Sequence, residues 1–132
     1  MPSMPRPTIL LVDDEPALAN FVAEAASLSG YDPVVTGDDG EFRARFGDAR
    51  PDMVALDLGM PGMDGVELLR FLAAEHFSNP VLIVSGFDVR VLDSAFRLGL
   101  EMGLNMVGPI QKPARLQELE SLFGELRPTL TS

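Results

Sequence analysis

The chain of 132 residues has no cysteine, which excludes a disulfide framework and a thiolate metal centre. No apolar run approaches the roughly 20 residues of a bilayer span, so no membrane segment is expected. Met1 to Pro7 offers Arg6 but no apolar stretch. No secretion signal is therefore expected, and cytoplasmic localisation is the default. Positive charge is scarce: 10 basic residues stand against 20 acidic ones, a formal net charge of -10. A phosphate backbone would be repelled, so direct nucleic-acid binding is not expected. The basic residues are arginines except for Lys112. A lone ammonium marks a place where a compact point charge serves better than a planar fork, unless it is chance in an arginine-biased composition. His76 is the only histidine. It falls near the end of a predicted helix, where a charged imidazole suits the dipole.

What is present is periodic. At 46% hydrophobic, the chain is long enough to bury about two-thirds of its unfolded surface as one domain. Five short runs read as strands: Thr8 to Asp13 as a continuous apolar run, Asp32 to Thr36 as a short strand around Val34 and Val35, Met53 to Leu56 and Val81 to Val84 as strands buried in a parallel sheet, and Leu104 to Ile110 as the fifth. Between them lie helical patterns. The first starts at Pro16, carries Leu18, Phe21, Val22, Ala25 and Leu28, and closes at Gly30. The second, from Asp38 to Asp48, is weaker. The third runs from Asp64, its expected N-cap, to Phe77. The fourth is capped by Asp88 and carries Val91, Leu92, Ala95, Phe96 and Leu98 towards Gly103; Gly99 is expected to fray its end. The last has one stripe of Leu116, Leu119, Leu122, Phe123 and Leu126, and Pro128 is expected to stop it. The division is a flexible lead-in over 1–7, a folded unit over 8–127 and a tail over 128–132. Five alternations of strand and helix demand a parallel sheet covered on both sides. The size suits a flavodoxin-like doubly wound (βα)5 domain with strand order 2-1-3-4-5. Pro109 removes a backbone donor from the fifth strand, which marks it as an edge.

Ligands of such sheets bind at the carboxyl ends of the strands. The first strand delivers Asp13 and Asp14 there, the third Asp57, the fourth Ser85 and the fifth Lys112. In the expected order these strands are contiguous. Clustered carboxylates repel unless some are protonated or a cation joins them. Oxygen ligands without histidine or cysteine suit Mg²⁺. A carboxylate is also a nucleophile towards phosphorus, with Lys112 and Ser85 placed to hold phosphoryl oxygens. Alternatively, the Asp pair caps a helix, Asp57 caps its own loop and Lys112 is a surface charge.

Leu11-Val-Asp-Asp-Glu15, Asp57-Leu-Gly-Met-Pro-Gly-Met-Asp-Gly65, Ile83-Val-Ser-Gly86 and Lys112-Pro113 together resemble the receiver domain of two-component response regulators, of the chemotaxis-receiver kind, over nearly the whole chain. The resemblance implies that Asp57 is the phosphoacceptor and that Ser85 and Lys112 hold the phosphoryl group. Asp14, Asp57 and the Gly59 carbonyl would ligate Mg²⁺, with Asp13 acting largely through water. It also implies a sensor histidine kinase, phosphotransfer protein or small acyl phosphate as donor. The chain would be no enzyme beyond its own phosphorylation and dephosphorylation. A downstream output protein or fused output domain would read the face built from the fourth helix, fifth strand and fifth helix. Gly103 to Pro113 is also similar to receivers joined to cyclic-di-GMP phosphodiesterases. One departure stands out: receivers often carry an aromatic switch residue three positions before the lysine, and here that residue is Pro109. Phe87 is a candidate to move in its place, with plain packing as the alternative. Pro109 keeps open a second reading, an adaptor that works without phosphorylation. An Mg²⁺-dependent aspartyl phosphatase is a third, although Asp13-Asp14-Glu15-Pro16 lacks the Asp-x-Asp spacing of such enzymes.

Overall fold

The computed structural model describes residues 6–59 and 65–130. Strands and helices alternate as β1 (Thr8–Val12), α1 (Pro16–Leu28), β2 (Asp32–Thr36), α2 (Asp39–Ala49), β3 (Met53–Leu56), α3 (Gly65–Ala74), β4 (Pro80–Ser85), α4 (Val89–Glu101), β5 (Asn105–Gln111) and α5 (Leu116–Leu130). The five strands form one parallel sheet in the order β2-β1-β3-β4-β5. This is the doubly wound architecture expected, with β5 at an edge. Side chains of successive strand residues point to opposite faces, and both faces are covered. Leu10, Val12, Val54, Leu56, Val81 and Ile83 pack with Phe42 of α2, Leu68, Leu69 and Leu72 of α3, and Leu92 of α4. Ile9, Leu11, Met53, Ala55, Leu82 and Val84 pack with Val22, Ala25 and Ala26 of α1 and Leu119 and Phe123 of α5.

Local chemistry starts and stops these helices. Pro16 occupies the first turn of α1, where its missing N–H costs nothing. Asp38 caps α2 by accepting from the Glu41 N–H at 2.7 Å, and Asp88 caps α4 by accepting from the Arg90 N–H at 2.7 Å. The expected Asp64 cap lies outside the described residues. Gly30 (φ 95°) and Gly103 (φ 88°) close α1 and α4 in the left-handed region, which glycine enters without steric cost.

Several expectations need correction. Pro128 does not stop the last helix, which continues to Leu130. A proline in a final turn forfeits one N–H bond; the Thr129 hydroxyl donates to the Leu126 carbonyl at 2.6 Å, and Leu130 joins the apolar cluster beneath. Arg6 and Pro7 are tied down rather than loose: Arg6 donates to Asp32 and to the Ser27 and Tyr31 carbonyls, and the Asp32 N–H donates to Pro7. Gly99 does not end α4 early. It is buried because the Met106 side chain lies where its Cβ would be. Leu28 is 67% exposed, on the margin of the buried stripe of α1. Val91 and Leu116 are also exposed.

The largest departure from regularity is in β5. Leu82 pairs with Val107 but Val84 pairs with Ile110, a bulge that places one extra residue on β5. A one-residue insertion flips the face of everything after it. Met106 therefore belongs to the α2–α3–α4 side, while Ile110 belongs to the α1–α5 side. Pro109 sits within this bulge, where no regular ladder bond is lost.

Under the α1–α5 side, the fully buried Tyr31 donates its hydroxyl to the Phe123 carbonyl at 2.8 Å. Burial pushes its phenol up to about 12, against a smaller lowering by Arg127. The folded state holds this proton more tightly than the unfolded one. The contribution is therefore intact below about pH 10 and is lost as pH rises to about 12, by on the order of 2–3 kcal/mol. Tyr31 is the only tyrosine, so phenolate absorbance reads it alone. We expect its midpoint near the upper value in the folded protein, and a shallower alkaline loss of stability in Tyr31→Phe.

Candidate functional site

Three backbone bonds extend the ladders beyond the strand ends and set the site. The Asp13 N–H donates to Thr36 at 3.1 Å, the Asp57 N–H to Val12 at 3.1 Å and the Lys112 N–H to Ser85 at 2.9 Å. Asp13 follows β1, Asp57 follows β3 and Lys112 follows β5, and the sheet order brings them to one rim.

Both buried carboxylates are held in the same way. One oxygen of each accepts from the backbone N–H two residues on: Asp13 Oδ1 from Glu15 at 3.0 Å and Asp57 Oδ1 from Gly59 at 2.9 Å. These local turns fix each side chain. The second oxygens converge on one ammonium. Lys112 Nζ lies 2.7 Å from Asp13 Oδ2 and 3.0 Å from Asp57 Oδ2, with all three side chains at most 10% exposed. Burial alone would lower the Lys112 pKa. The hydrogen bonds it donates to Asp13 and Asp57, with their charges, outweigh it and raise the group above its ordinary value of 10.5. The ammonium is thus fully formed at neutral pH. Its stabilising contribution is lost only as pH rises through that elevated value.

One ammonium does not balance the acids around it. Asp13, Asp14, Glu15 and Asp57 each bring a carboxylate oxygen within 4.8 Å of the others. Asp14 and Glu15 are exposed. Glu15 reaches Lys112 Nζ only at 3.7 Å, a solvent-screened pair of little energetic weight. Beside the cluster, a cleft of about 240 Å³ is lined by Asp57, Gly59, Ser85, Phe87, Lys112 and Glu15, with Gly86. The Ser85 hydroxyl is buried and has no hydrogen-bond partner among the described residues. A buried, unpaired hydroxyl is unfavourable by about 1–3 kcal/mol, so this donor is held ready for an acceptor that enters the cleft. The donor set fits a hard divalent cation: oxygen ligands, surplus negative charge and no histidine or cysteine among them.

All the residues expected at the strand ends therefore meet on one rim: Asp13, Asp14, Asp57, Gly59, Ser85 and Lys112. Two others join them unforeseen. Glu15 could have been suspected from the unbroken acidic run. Gln111 could not; its Nε2 donates to the Phe87 carbonyl at 3.1 Å and ties β5 to the loop before α4. Phe87 is 43% exposed, and its ring lies beside Gly59, where an added Cβ would make ordinary contact at 3.5 Å. Pro109, at the position of the expected aromatic, is half-buried in the β5 bulge. His76 is exposed and lies just past the end of α3.

Residues 9–123 match the family model of the response regulator receiver domain. The chain belongs to this family. It is 38% identical over 120 residues to the transcriptional regulatory protein TrcR of Mycobacterium tuberculosis, covering 90% of this chain and 45% of that protein. It is 35% identical over 114 residues to the DNA-binding response regulator MtrA of Mycolicibacterium smegmatis, covering 86% of this chain and 47% of that one. The chain thus spans about half the length of these curated relatives. Among solved structures, a CheY-like receiver domain protein from Methanospirillum hungatei superposes with a TM-score of 0.80 at 21% identity, covering 96% of this chain and 97% of that one. The BeF3-activated receiver domain of Klebsiella pneumoniae RstA gives 0.73 at 27% identity, covering 95% and 99%. The fold and the family agree, and the aspartyl-phosphatase alternative is left without support. No helix among the described residues is long and apolar enough to cross a membrane.

The charge surplus of the receiver site has a measurable consequence. Asp57→Asn removes one of four clustered carboxylates while Lys112 keeps its shorter bond to Asp13. In metal-free buffer we expect a higher melting temperature than wild type, by about 1 kcal/mol of relieved repulsion. Thermal denaturation in chelator-treated buffer checks it.

Proposed function

We propose that Asp57 is the phosphoacceptor of a signalling switch, that Lys112 and Ser85 hold the transferred phosphoryl group, and that Mg²⁺ is required. The donor is a phosphohistidine on a sensor kinase or phosphotransfer protein, or a small acyl phosphate. Support comes from the ammonium shared between Asp13 and Asp57 beside the unpartnered Ser85 hydroxyl. An Asp57 carboxylate oxygen attacks phosphorus. A new O–P bond forms as the donor's N–P or O–P bond breaks, and the electron pair leaves with the imidazole or carboxylate. Esterification moves the negative charge from the Asp57 carboxylate onto the phosphoryl oxygens. Lys112 follows that charge, keeping its bond to Asp13, and the Ser85 hydroxyl donates to a second phosphoryl oxygen. Asp13, Asp14, Asp57 and the Gly59 carbonyl would hold Mg²⁺, which supplies charge neutralisation for the incoming group. The domain assists only its own phosphorylation and dephosphorylation.

The folded unit acts in the cytoplasm and presents α4, β5 and α5 to whatever reads the switch. Its net charge of -10 makes it a poor ligand for nucleic acid. By analogy with relatives whose names describe DNA-binding and transcriptional regulators, DNA contact would belong to a separate output segment or partner. Phosphorylation would bias a pre-existing equilibrium of that face, with the Gln111 tether and Phe87 in place of an aromatic at position 109.

Incubation with acetyl phosphate and Mg²⁺ should add one phosphoryl group to the intact mass, absent in Asp57→Ala and with EDTA. An adduct that survives Asp57→Ala would assign the wrong acceptor. Millimolar Mg²⁺ alone should raise the melting temperature by selective binding to the folded state, about 2.7 kcal/mol at a hundredfold excess over Kd. An unchanged melting temperature would contradict the metal assignment.

A further inference from the structure

Three helices end with the same pair of backbone bonds. In α1 and α4 the N–H groups of Tyr31 and Leu104 return to the carbonyls of Ala26 and Gly99, and the left-handed position is a glycine. In α3 the His76 N–H reaches Ala73 and the Phe77 N–H reaches Leu72, both at 3.0 Å, yet the left-handed residue is His76 (φ 56°). α2 ends in a left-handed Arg50 (φ 43°). Among the described residues these are the two non-glycine positions with positive φ. A Cβ there is sterically costly, and glycine is the residue such positions favour. Both side chains line one cavity of about 500 Å³ between the ends of α2 and α3. Pro51 and Asn79, which precede β3 and β4, also border it, so it lies at the opposite end of the sheet from Asp57.

Three phenylalanines form one part of the cavity wall, and charged and polar side chains form the rest. Phe46 packs edge-on against Phe71 at 5.2 Å and against Phe77 at 5.5 Å. Arg43 covers one face of Phe71 and is already engaged by Asp39. The Arg50 guanidinium has no hydrogen bond or ion pair among the described residues. Glu75 also lines the cavity and disfavours a ligand with two or more negative charges.

We propose that this cavity binds a planar aromatic carboxylate. Its ring packs among Phe46, Phe71 and Phe77 with the edge-to-face geometry that aromatic pairs prefer. Its carboxylate takes the two parallel N–H donors of Arg50, and the His76 ring N–H supplies another. The volume falls within the range of small-molecule sites. Glycine at either position would relieve the left-handed backbone but remove the side chain that recognises the anion.

The chain has no tryptophan and one tyrosine, so the fluorescence anisotropy of 2-naphthoate reports binding cleanly. We expect saturable binding to wild type, weaker binding of the uncharged 2-naphthylmethanol, and a loss of roughly tenfold or more in Arg50→Gly. His76→Gly should also weaken it. Both glycine variants should keep or raise the melting temperature, because glycine relieves the left-handed backbone. The proposal is overturned if wild type does not bind naphthoate, if Arg50→Gly leaves binding unchanged, or if both variants melt lower.

Discussion

The Lys112 ammonium lies between two buried carboxylates, and the rim of the sheet depends on it. Without it, Asp13 and Asp57 would hold uncompensated charge at 8% and 5% exposure, a situation that costs on the order of 3–5 kcal/mol when one member of a buried pair is removed. With it, one oxygen of each acid is saturated while the surrounding acids still exceed the positive charge available. That imbalance leaves the acids able to take up a cation, beside a cleft that presents an ammonium and an unpaired hydroxyl.

The fold delivers this arrangement through inner parallel strands whose middles are apolar and whose carboxyl ends turn polar. Asp13, Asp57 and Lys112 are each the first residue beyond a strand, held by one further backbone bond. The β5 bulge carries Ile110 to the α1–α5 side without displacing Lys112 from the rim. Gln111, between them, uses its side chain to hold the Phe87 backbone. The edge strand and the loop before α4 are therefore mechanically joined beside the site, on the side where position 109 offers no rotating ring.

The inner strands and their end residues were legible because burial on both faces writes β1, β3 and β4 as short apolar runs that end in a polar residue. The β5 bulge was not, since an inserted residue leaves the composition of the run unchanged and shows only in its pairing. Pro109 pointed to an edge, and it also marks the bulge. Pro128 misled because its lost N–H is a local cost, whereas the burial of Leu130 is a tertiary gain that local pattern does not contain. Leu28 and Leu116 followed the helical period yet lie at the margins of their stripes, where periodicity cannot tell a buried turn from an exposed one. Glu15 was visible as part of an acidic run, but Gln111 acquires its role only from the approach of a loop 24 residues away in sequence.

The most direct measurement is a calorimetric titration of Mg²⁺ into wild type and Lys112→Met at about pH 7, both fully chelator-stripped. If the ammonium is the counter-ion that the acids hold until a cation arrives, removing it frees the same oxygens, and Lys112→Met should bind Mg²⁺ more tightly than wild type. Equal or weaker binding in Lys112→Met, or no binding in wild type, would contradict the account.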